Sequence, residues 1–326
     1  MTWQESLTRD PLPTLCSSAN PALRFFVRRD LLGEPVPPMD ALWELPEPQR
    51  LLQKQQPAGC WRYPGQKQRE DPRFNYSLLE TFRILAQLVH KYGLNRDHPA
   101  IRLAAKFVFS CQTDEGDVRG ILGNQLIPYY HAAILESLIR AGYADDPAVE
   151  RGLTWLLTVR QEDGGWIIPL QAVPGALKRG KIWTAPPVPP DRVRPFSHLA
   201  TGMVLRALAA HPAYRSLPAV QLAGERLKSR FFRPDRYNDR RAADYWLKFR
   251  YPFWWNDLLS ALDSLGQLAF SAEDPDIRRG LDWFVANQQS DGLWPTEYDK
   301  AQDWEQRQWV GLAICRMLRR FSESCS

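Results

Sequence analysis

The strongest constraint on the fold of this chain is a stretch of 21 residues that occurs twice. Asp146–Trp166 (DPAVERGLTWLLTVRQEDGGW) aligns without a gap on Asp274–Trp294 (DPDIRRGLDWFVANQQSDGLW), and ten of the 21 positions are identical at an offset of 128 residues. Repetition at a regular spacing indicates an architecture of stacked supersecondary units. We therefore expect one structural unit to recur along most of the 326 residues.

Three weaker copies extend the series. Leu51–Trp61 (LLQKQQPAGCW) keeps a Gln, the Gly and the Trp, whereas Lys106–Asp117 keeps the Gln, the Asp and a Gly but lacks the Trp. Leu227–Asn238 keeps only a helix and its turn. The series predicts about five units.

Each unit has the pattern of a helical hairpin. The apolar residues of Ile277–Val285 fall at i, i+4, i+7 and i+8, which is one face of an α-helix. The Asp-Pro pair ahead of this segment is typical of a helix start, because Asp caps free N–H groups and Pro needs no acceptor there. A second apolar helix follows each turn, near Tyr76, Tyr130, His198, Trp254 and Gln308. No segment alternates apolar and polar residues long enough for a convincing strand, so the sequence predicts an all-α fold.

A helix followed by Gln-x-x-Gly-x-Trp stands at Gln56–Trp61, Gln161–Trp166 and Gln289–Trp294. These segments resemble the QW motifs of the superfamily that contains squalene-hopene cyclases and protein prenyltransferase β-subunits. The resemblance implies an α/α-toroid of about five to six helical hairpins around a central cavity. It also implies a structural motif, in which the Gln side chain bonds to backbone at a helix end and the Trp stacks over it. Burying an indole ring while satisfying helix-terminal groups favours the same interpretation.

The chemistry of that superfamily is only partly represented. Its cyclases protonate their substrates with an Asp-x-Asp-Asp acid, and this sequence has no such tetrad. Its prenyltransferases bind zinc through Asp, Cys and His, and the last second helix, which contains EQRQWVGLAIC, has no His at its start. We expect no metal and no cofactor. If the protein is an enzyme of this superfamily, it lacks both the Asp-x-Asp-Asp acid and the known zinc ligands.

The residues that open the second helices form the candidate site, because in a toroid they line the mouth of the cavity. We predict that His131, His198 and Asp257 move a proton. Aromatic faces attract carbocations and fit isoprenoid chains, so we predict apolar ligand contacts at Tyr76, Tyr130, Trp254 and Trp255. The alternative is that the aromatic residues pack the ring and the histidines cap helices. A histidine metal site has weak support, because no third ligand stands at a recognisable spacing.

A local cluster of cations occupies Lys228–Arg250. Arginine forks suit phosphates, and we predict contacts from Arg233, Arg240 and Arg241 to the diphosphate of an isoprenoid ligand. The alternative is a solvated face paired with the interleaved acids. The net charge is only +5, and no nucleic-acid motif is present, so nucleic acid is not an expected partner.

The domain organisation predicted is an N-terminal arm over 1–40, with one helix at Pro21–Gly33, and a toroid domain over 41–326. The 30 residues 167–196 form a long connection with no helix of their own, which suits a lid or a neutral insertion. The sequence contains no transmembrane run or signal-peptide core, and its five scattered cysteines suit a reducing cytosol, so a cytoplasmic location is expected.

Two functions follow as hypotheses. The first is a cyclase-like or prenyltransferase-like protein that holds an isoprenoid or similar apolar ligand in its cavity. The second is a noncatalytic toroid that binds a partner protein.

Overall fold

Helices are the regular elements of this chain, as the sequence predicts. The computed structural model describes residues 3–65, 71, 73–173, 180–237, 240–296 and 303–323. Within these ranges every regular element is helical, and the β-type pairings are isolated bridges between single residues. The α-helices of these ranges are α1 (Leu12–Cys16), α2 (Pro21–Val27), α3 (Pro46–Leu52), α4 (Tyr76–Tyr92), α5 (Pro99–Ser110), α6 (Pro128–Leu138), α7 (Pro147–Thr158), α8 (His198–Ala210), α9 (Pro218–Lys228), α10 (Leu258–Gln267), α11 (Pro275–Ala286) and α12 (Trp304–Glu323).

The helices follow one another as hairpins. The pairs α3–α4, α5–α6, α7–α8, α9–α10 and α11–α12 each place a repeat-bearing helix before an apolar second helix. The predicted all-α fold class is therefore confirmed for the described residues.

The chain divides into two compact units. The N/C unit contains Met1–Pro38, Gly224–Asp235 and Arg240–Ser326, and the middle unit contains Met39–Ala223 and Arg236–Asp239. In the middle unit, α6 packs between α4 and α8, α5 packs on α4, and α7 packs on α6 and α8. In the N/C unit, α12 packs on α1, α2 and α10, while α11 packs on α10.

The repeated sequence positions have the same structural roles in both strong copies. Asp146 accepts a hydrogen bond from the Ala148 N–H (2.8 Å) at the start of α7, and Asp274 caps α11 in the same way. The helix starts predicted from Asp-Pro are confirmed. The repeated Gly allows close packing of helices: a Cβ on Gly152 would lie 2.9 Å from the His131 ring.

The repeated Trp closes each turn on the helix before it. Trp166 is fully buried, and its Nε1–H donates to the carbonyl oxygen of Leu156, ten residues earlier, at 2.7 Å. Trp61 and Trp294 make the same bond, at the same length, to Leu51 and Phe284. Each bond satisfies a carbonyl of the last helical turn, where no intrahelical donor is available. The structural role predicted for these tryptophans agrees with this geometry.

The glutamine of the repeat bonds to backbone as predicted in one copy, at Gln161, but in another copy the preceding residue makes the contact. Gln161 does bond to backbone, donating to the carbonyls of Asp191 (2.7 Å) and Arg194 (2.9 Å). Gln56, however, is exposed and donates only locally, to Lys54, while the preceding Gln55 reaches the carbonyl of Ala100 at 2.8 Å.

Within the middle unit, side chains at the position of Gln55 bond to the start of the next repeat-bearing helix. The equivalent Gln112 donates to Ala148 (2.8 Å), and the equivalent Arg160 donates to Ala219 (3.1 Å). In every case the acceptor is the second residue of the next repeat-bearing helix.

Three further expectations concern element boundaries. The helix predicted over Pro21–Gly33 is present as α2 and a π-helical turn, Arg28–Leu32, that ends at Gly33 in the left-handed conformation (φ 65°). The helix predicted from Trp254 begins instead at Leu258, because Asp257 is its N-cap. The connection 167–196 contains 3₁₀ turns at Pro169–Ala172 and Gly180–Trp183, and its residues 174–179 lie outside the described ranges.

Candidate ligand site

Four partly exposed aromatic rings line the N-terminal end of α4, in the middle unit. Tyr76 lies 5.6 Å from the Tyr63 ring and 6.0 Å from the Phe74 ring, measured between centroids, and Phe74 lies 5.4 Å from Trp183. These four rings are called the aromatic wall below. Each is neither fully buried nor fully exposed, so the wall presents ring surface that is not consumed by core packing.

The wall draws its residues from separate parts of the chain, and backbone bonds fix its outer edge. Trp183 comes from the connection 167–196, and its carbonyl accepts from the Asn124 N–H at 2.7 Å. The side chain of Gln125, which is 1% exposed, holds the same segment through Ile182 (2.5 Å) and Val188 (3.0 Å). The part of the connection next to the wall is therefore docked by a buried amide.

A carboxyl group lies one helical turn from Tyr76. Glu80 follows Tyr76 at i+4 on α4, and side chains at this spacing are neighbours on one helix face. The Glu80 side chain is 12% exposed, and burial raises the pKa of its carboxyl group. Its closest charged neighbour within the described ranges is Arg83, with Nη1 at 3.5 Å from Oε2.

Tyr130, a predicted ligand contact, lies on the neighbouring helix α6. Its ring is 4.5 Å from Tyr129 and 6.1 Å from Phe82, and it is partly exposed. Tyr76 and Tyr130 thus both keep accessible ring surface within the middle unit, on adjacent packed helices.

His131 is buried between α6, the preceding turn and α7. Its Nδ1 accepts from the Val118 N–H at 2.9 Å, and its Nε2–H donates to the Gly152 carbonyl at 3.0 Å. This geometry requires the neutral ring protonated on Nε2. Burial is the main cause of a lowered pKa, about 4.

His131 also contacts the turn of the weak repeat at Lys106–Asp117. Val118 occupies the position of the missing Trp, and its N–H bonds to His131, where Trp166 uses Thr201 Oγ1 (2.9 Å). The observed contacts are thus structural, and the catalytic role of His131 stays a prediction.

His198 and Asp257 both stand at helix starts. His198 is the first residue of α8 and is 5% exposed. Asp257 caps α10 through a capping box with Ser260, in which its carboxylate accepts from the Ser260 N–H at 2.7 Å. His198 belongs to the middle unit and Asp257 to the N/C unit, and their predicted proton-transfer roles remain predictions.

The remaining predicted contacts lie in the N/C unit. Arg240 stacks over the Trp255 ring, with its guanidinium carbon 4.4 Å from the centroid, and the Trp254 and Trp255 rings are 6.1 Å apart. Arg233 and Arg241 are exposed.

Acids interleave with the same cationic segment. Lys228 pairs with Glu225 and Asp274, and Lys248 lies 3.5 Å from Asp244. The alternative of a solvated face, in which the cations pair with interleaved acids, therefore describes Lys228 and Lys248. The predicted ligand contacts of the arginines stay predictions.

An ion pair joins α6 to α8 inside the middle unit. Glu136 is 1% exposed and accepts from Arg206 at 2.6 and 2.8 Å and from Arg140 at 3.1 Å. Although burial opposes ionisation, Arg206 and Arg140 lower the pKa of Glu136 to about 2. The pair is charged at neutral pH and fixes two second helices against each other.

A separate open cleft of about 230 Å³ lies along α7. Its lining includes Glu150, Arg151 and Trp155. It contains none of the predicted site residues, and Glu150 already accepts from the Tyr214 hydroxyl at 2.8 Å.

Sequence reasoning selected Tyr76 as a ligand contact but did not select its neighbours Tyr63, Phe74, Trp183 and Glu80. Alignment on the second helices selects only residues at their first turns, whereas these rings come from connections. For Glu80 a signal was available, since a carboxyl group at i+4 from Tyr76 shares its helix face.

Comparison with known proteins gives no family assignment: neither the protein-family models nor the curated proteins contain a match. Among solved structures, the chain is similar to a protein from Actinoplanes (16% identity, 88% of each chain, TM-score 0.43). It is also similar to a variant of the type II terpene cyclase MstE from Scytonema without ligand (12% identity, 96% of this chain and 86% of that one, TM-score 0.48).

A second MstE variant was solved with geranylgeranyl dihydroxybenzoate, its substrate (12% identity, 88% of this chain and 85% of that one, TM-score 0.43).

Within the described ranges, each helix is too short or too polar to cross a membrane. The same ranges contain no group of three or more His, Cys, Asp or Glu side chains placed to hold a metal ion.

Proposed function

We propose that this protein binds a small apolar ligand of the isoprenoid type on the aromatic wall of the middle unit. The observation that carries the proposal is the wall itself: four partly exposed rings, Tyr63, Phe74, Tyr76 and Trp183, in one chain of ring contacts. Ring faces are large apolar surfaces that also attract cationic carbon and nitrogen centres. Pockets for such ligands are lined mainly by apolar and aromatic side chains with few polar groups.

The alternative of partner-protein binding has less support. Large apolar side chains that are exposed among the described residues include Leu103 on α5, Leu222 on α9 and Trp304 on α12. They belong to three separate elements, and an interface would need such side chains in one contiguous apolar patch. The aromatic wall, by contrast, consists of rings in mutual contact.

We also propose that Arg233, Arg240 and Arg241 bind an anionic group, as the sequence suggests. Arg240 supports this role because stacking on Trp255 orients its guanidinium group. Titration with inorganic pyrophosphate tests this site separately from the wall. We expect Arg240→Lys to weaken binding despite its retained charge; equal binding by the two proteins would exclude a forked arginine contact.

Titration with farnesol tests the main proposal. Tyr76→Ala and Trp183→Ala should each weaken farnesol binding by about tenfold, since each removes aromatic contact area. Trp304→Ala is the matched control, because Trp304 is 47% exposed and lies in the N/C unit. Absence of farnesol binding by the wild-type protein, or equal loss in all three variants, would refute the proposal.

A further inference from the structure

The polar end of the aromatic wall is a single carboxyl group. Glu80 stands at i+4 from Tyr76 on α4, and side chains of a helix lean towards its N-terminus, which directs Glu80 towards the Tyr76 turn. The side chain is 12% exposed, so the carboxyl group is largely shielded from solvent. Partly exposed ring surface and a carboxyl group therefore share one face of α4.

The surroundings of Glu80 leave its hydrogen-bonding capacity underused. Within the described residues, its Oε2 atom is buried and accepts no hydrogen bond. The Arg83 Nη1 atom, at 3.5 Å, lies beyond the usual length of an N–H···O bond, and its side chain is 39% exposed. A buried carboxyl oxygen that accepts no hydrogen bond from these residues is costly, and a donor brought by a ligand would remove that cost.

We propose that Glu80 is the head-group contact of the aromatic wall and accepts a hydrogen bond from an ammonium or hydroxyl group of the ligand. This inference rests on the proposed function and adds its substrate class: an apolar chain that ends in a hydrogen-bond donor. Aromatic rings next to a carboxylate favour an amine most, because both attract positive charge. An anionic head at this position is disfavoured by repulsion from the carboxylate.

Three ligands with one common chain separate the tail from the head. Farnesyl methyl ether supplies the chain without a donor, farnesol adds a neutral donor, and farnesylamine adds a charged donor. For the wild-type protein we expect the amine to bind about tenfold to hundredfold more tightly than the ether, with the alcohol between them. Calorimetric titration of the full-length protein measures all three affinities.

Variants of Glu80 assign the preference to the carboxyl group. Glu80→Gln keeps the shape and an acceptor oxygen but loses the charge, so the amine should lose its advantage over the alcohol. Glu80→Leu should make all three ligands equal while ether binding persists. Gln87→Leu, a partly buried position on the same face of α4, is the matched control and should leave the order unchanged.

The possible failures are distinguishable. If the wild-type protein binds none of the three ligands, the proposed function is wrong. If it binds all three ligands equally, or if Glu80→Leu keeps the wild-type order, the wall binds the chain and the role assigned to Glu80 is wrong. A melting temperature within a few degrees of wild type shows that each variant is folded, and Glu80→Gln remains informative if Glu80→Leu is not.

Discussion

Replacing Trp166 tests the repeat architecture most severely. Its side chain is fully buried, and its Nε1–H donates to the Leu156 carbonyl at 2.7 Å. Trp166→Ala removes the ring and leaves a cavity, which costs about 3–5 kcal/mol in buried aromatic positions. Trp166→Phe keeps much of the ring volume but leaves the buried Leu156 carbonyl without its donor, at a cost of about 1–3 kcal/mol.

Two comparisons make this prediction specific. Gln161→Ala should lower the free energy of unfolding by about 1–2 kcal/mol, which is less than the cost of Trp166→Ala. It removes two hydrogen bonds, to Asp191 and Arg194, but little side-chain volume. Trp304→Ala should change stability by no more than about 0.5 kcal/mol, because that ring is 47% exposed.

Urea denaturation, monitored by far-ultraviolet circular dichroism, measures the change in the free energy of unfolding, provided that the variants share the wild-type m-value. Equal losses of stability for Trp166→Ala and Trp304→Ala, or no loss for Trp166→Ala, would refute the structural role of the repeated tryptophan.

Three further predictions concern the buried polar groups and metal content. The lowered pKa of His131, about 4, means that the unfolded chain binds a proton that the folded chain does not, so stability falls as pH drops from about 6.5 to 4, by about 3 kcal/mol. His131→Gln should flatten this part of the stability profile, and an unchanged slope would contradict the buried neutral ring. Arg206→Met should lower the free energy of unfolding by about 3–5 kcal/mol, because Glu136 stays buried with only Arg140 as its partner. Adding Glu136→Leu should restore part of that stability. A double variant as unstable as the sum of the single changes would exclude a coupling between Glu136 and Arg206. Elemental analysis should find no stoichiometric metal, and zinc that is lost on changing His131 or His198 would overturn the metal-free prediction.

Much of the fold could be predicted because repetition and capping are local signals. The Asp-Pro starts at Asp146 and Asp274 and the turn at Trp166 recur in one sequence pattern, and each reflects a backbone requirement of a few residues. The glutamine register was harder to predict, because Gln55 and Gln56 are adjacent and only their orientation decides which one reaches the next hairpin. Helix α10 begins at Leu258 and not, as predicted, at Trp254, because Asp257 caps it although the residues before Asp257 are apolar.

The candidate site was less predictable because it depends on tertiary placement. Tyr76 was selected as the first residue of a second helix, but Trp183 reaches the wall from a connection whose path is set by Gln125. No periodic pattern encodes that path. His131 shows the opposite case, since a residue suited to proton transfer bonds through both ring nitrogens to backbone. Its burial and its partners, rather than its residue type, decide which chemistry it can perform.

Native mass spectrometry of the purified wild-type protein, followed by addition of farnesol, tests ligand binding on the aromatic wall most directly. We predict that the 37.6 kDa chain carries one apolar small molecule, or takes up one farnesol. A smaller fraction of the Tyr76→Ala and Trp183→Ala chains should carry that added mass, whereas Trp304→Ala should match the wild-type protein. A wild-type chain that shows only its own mass before and after farnesol addition, or a Trp183→Ala chain that retains the ligand fully, would contradict the proposed site.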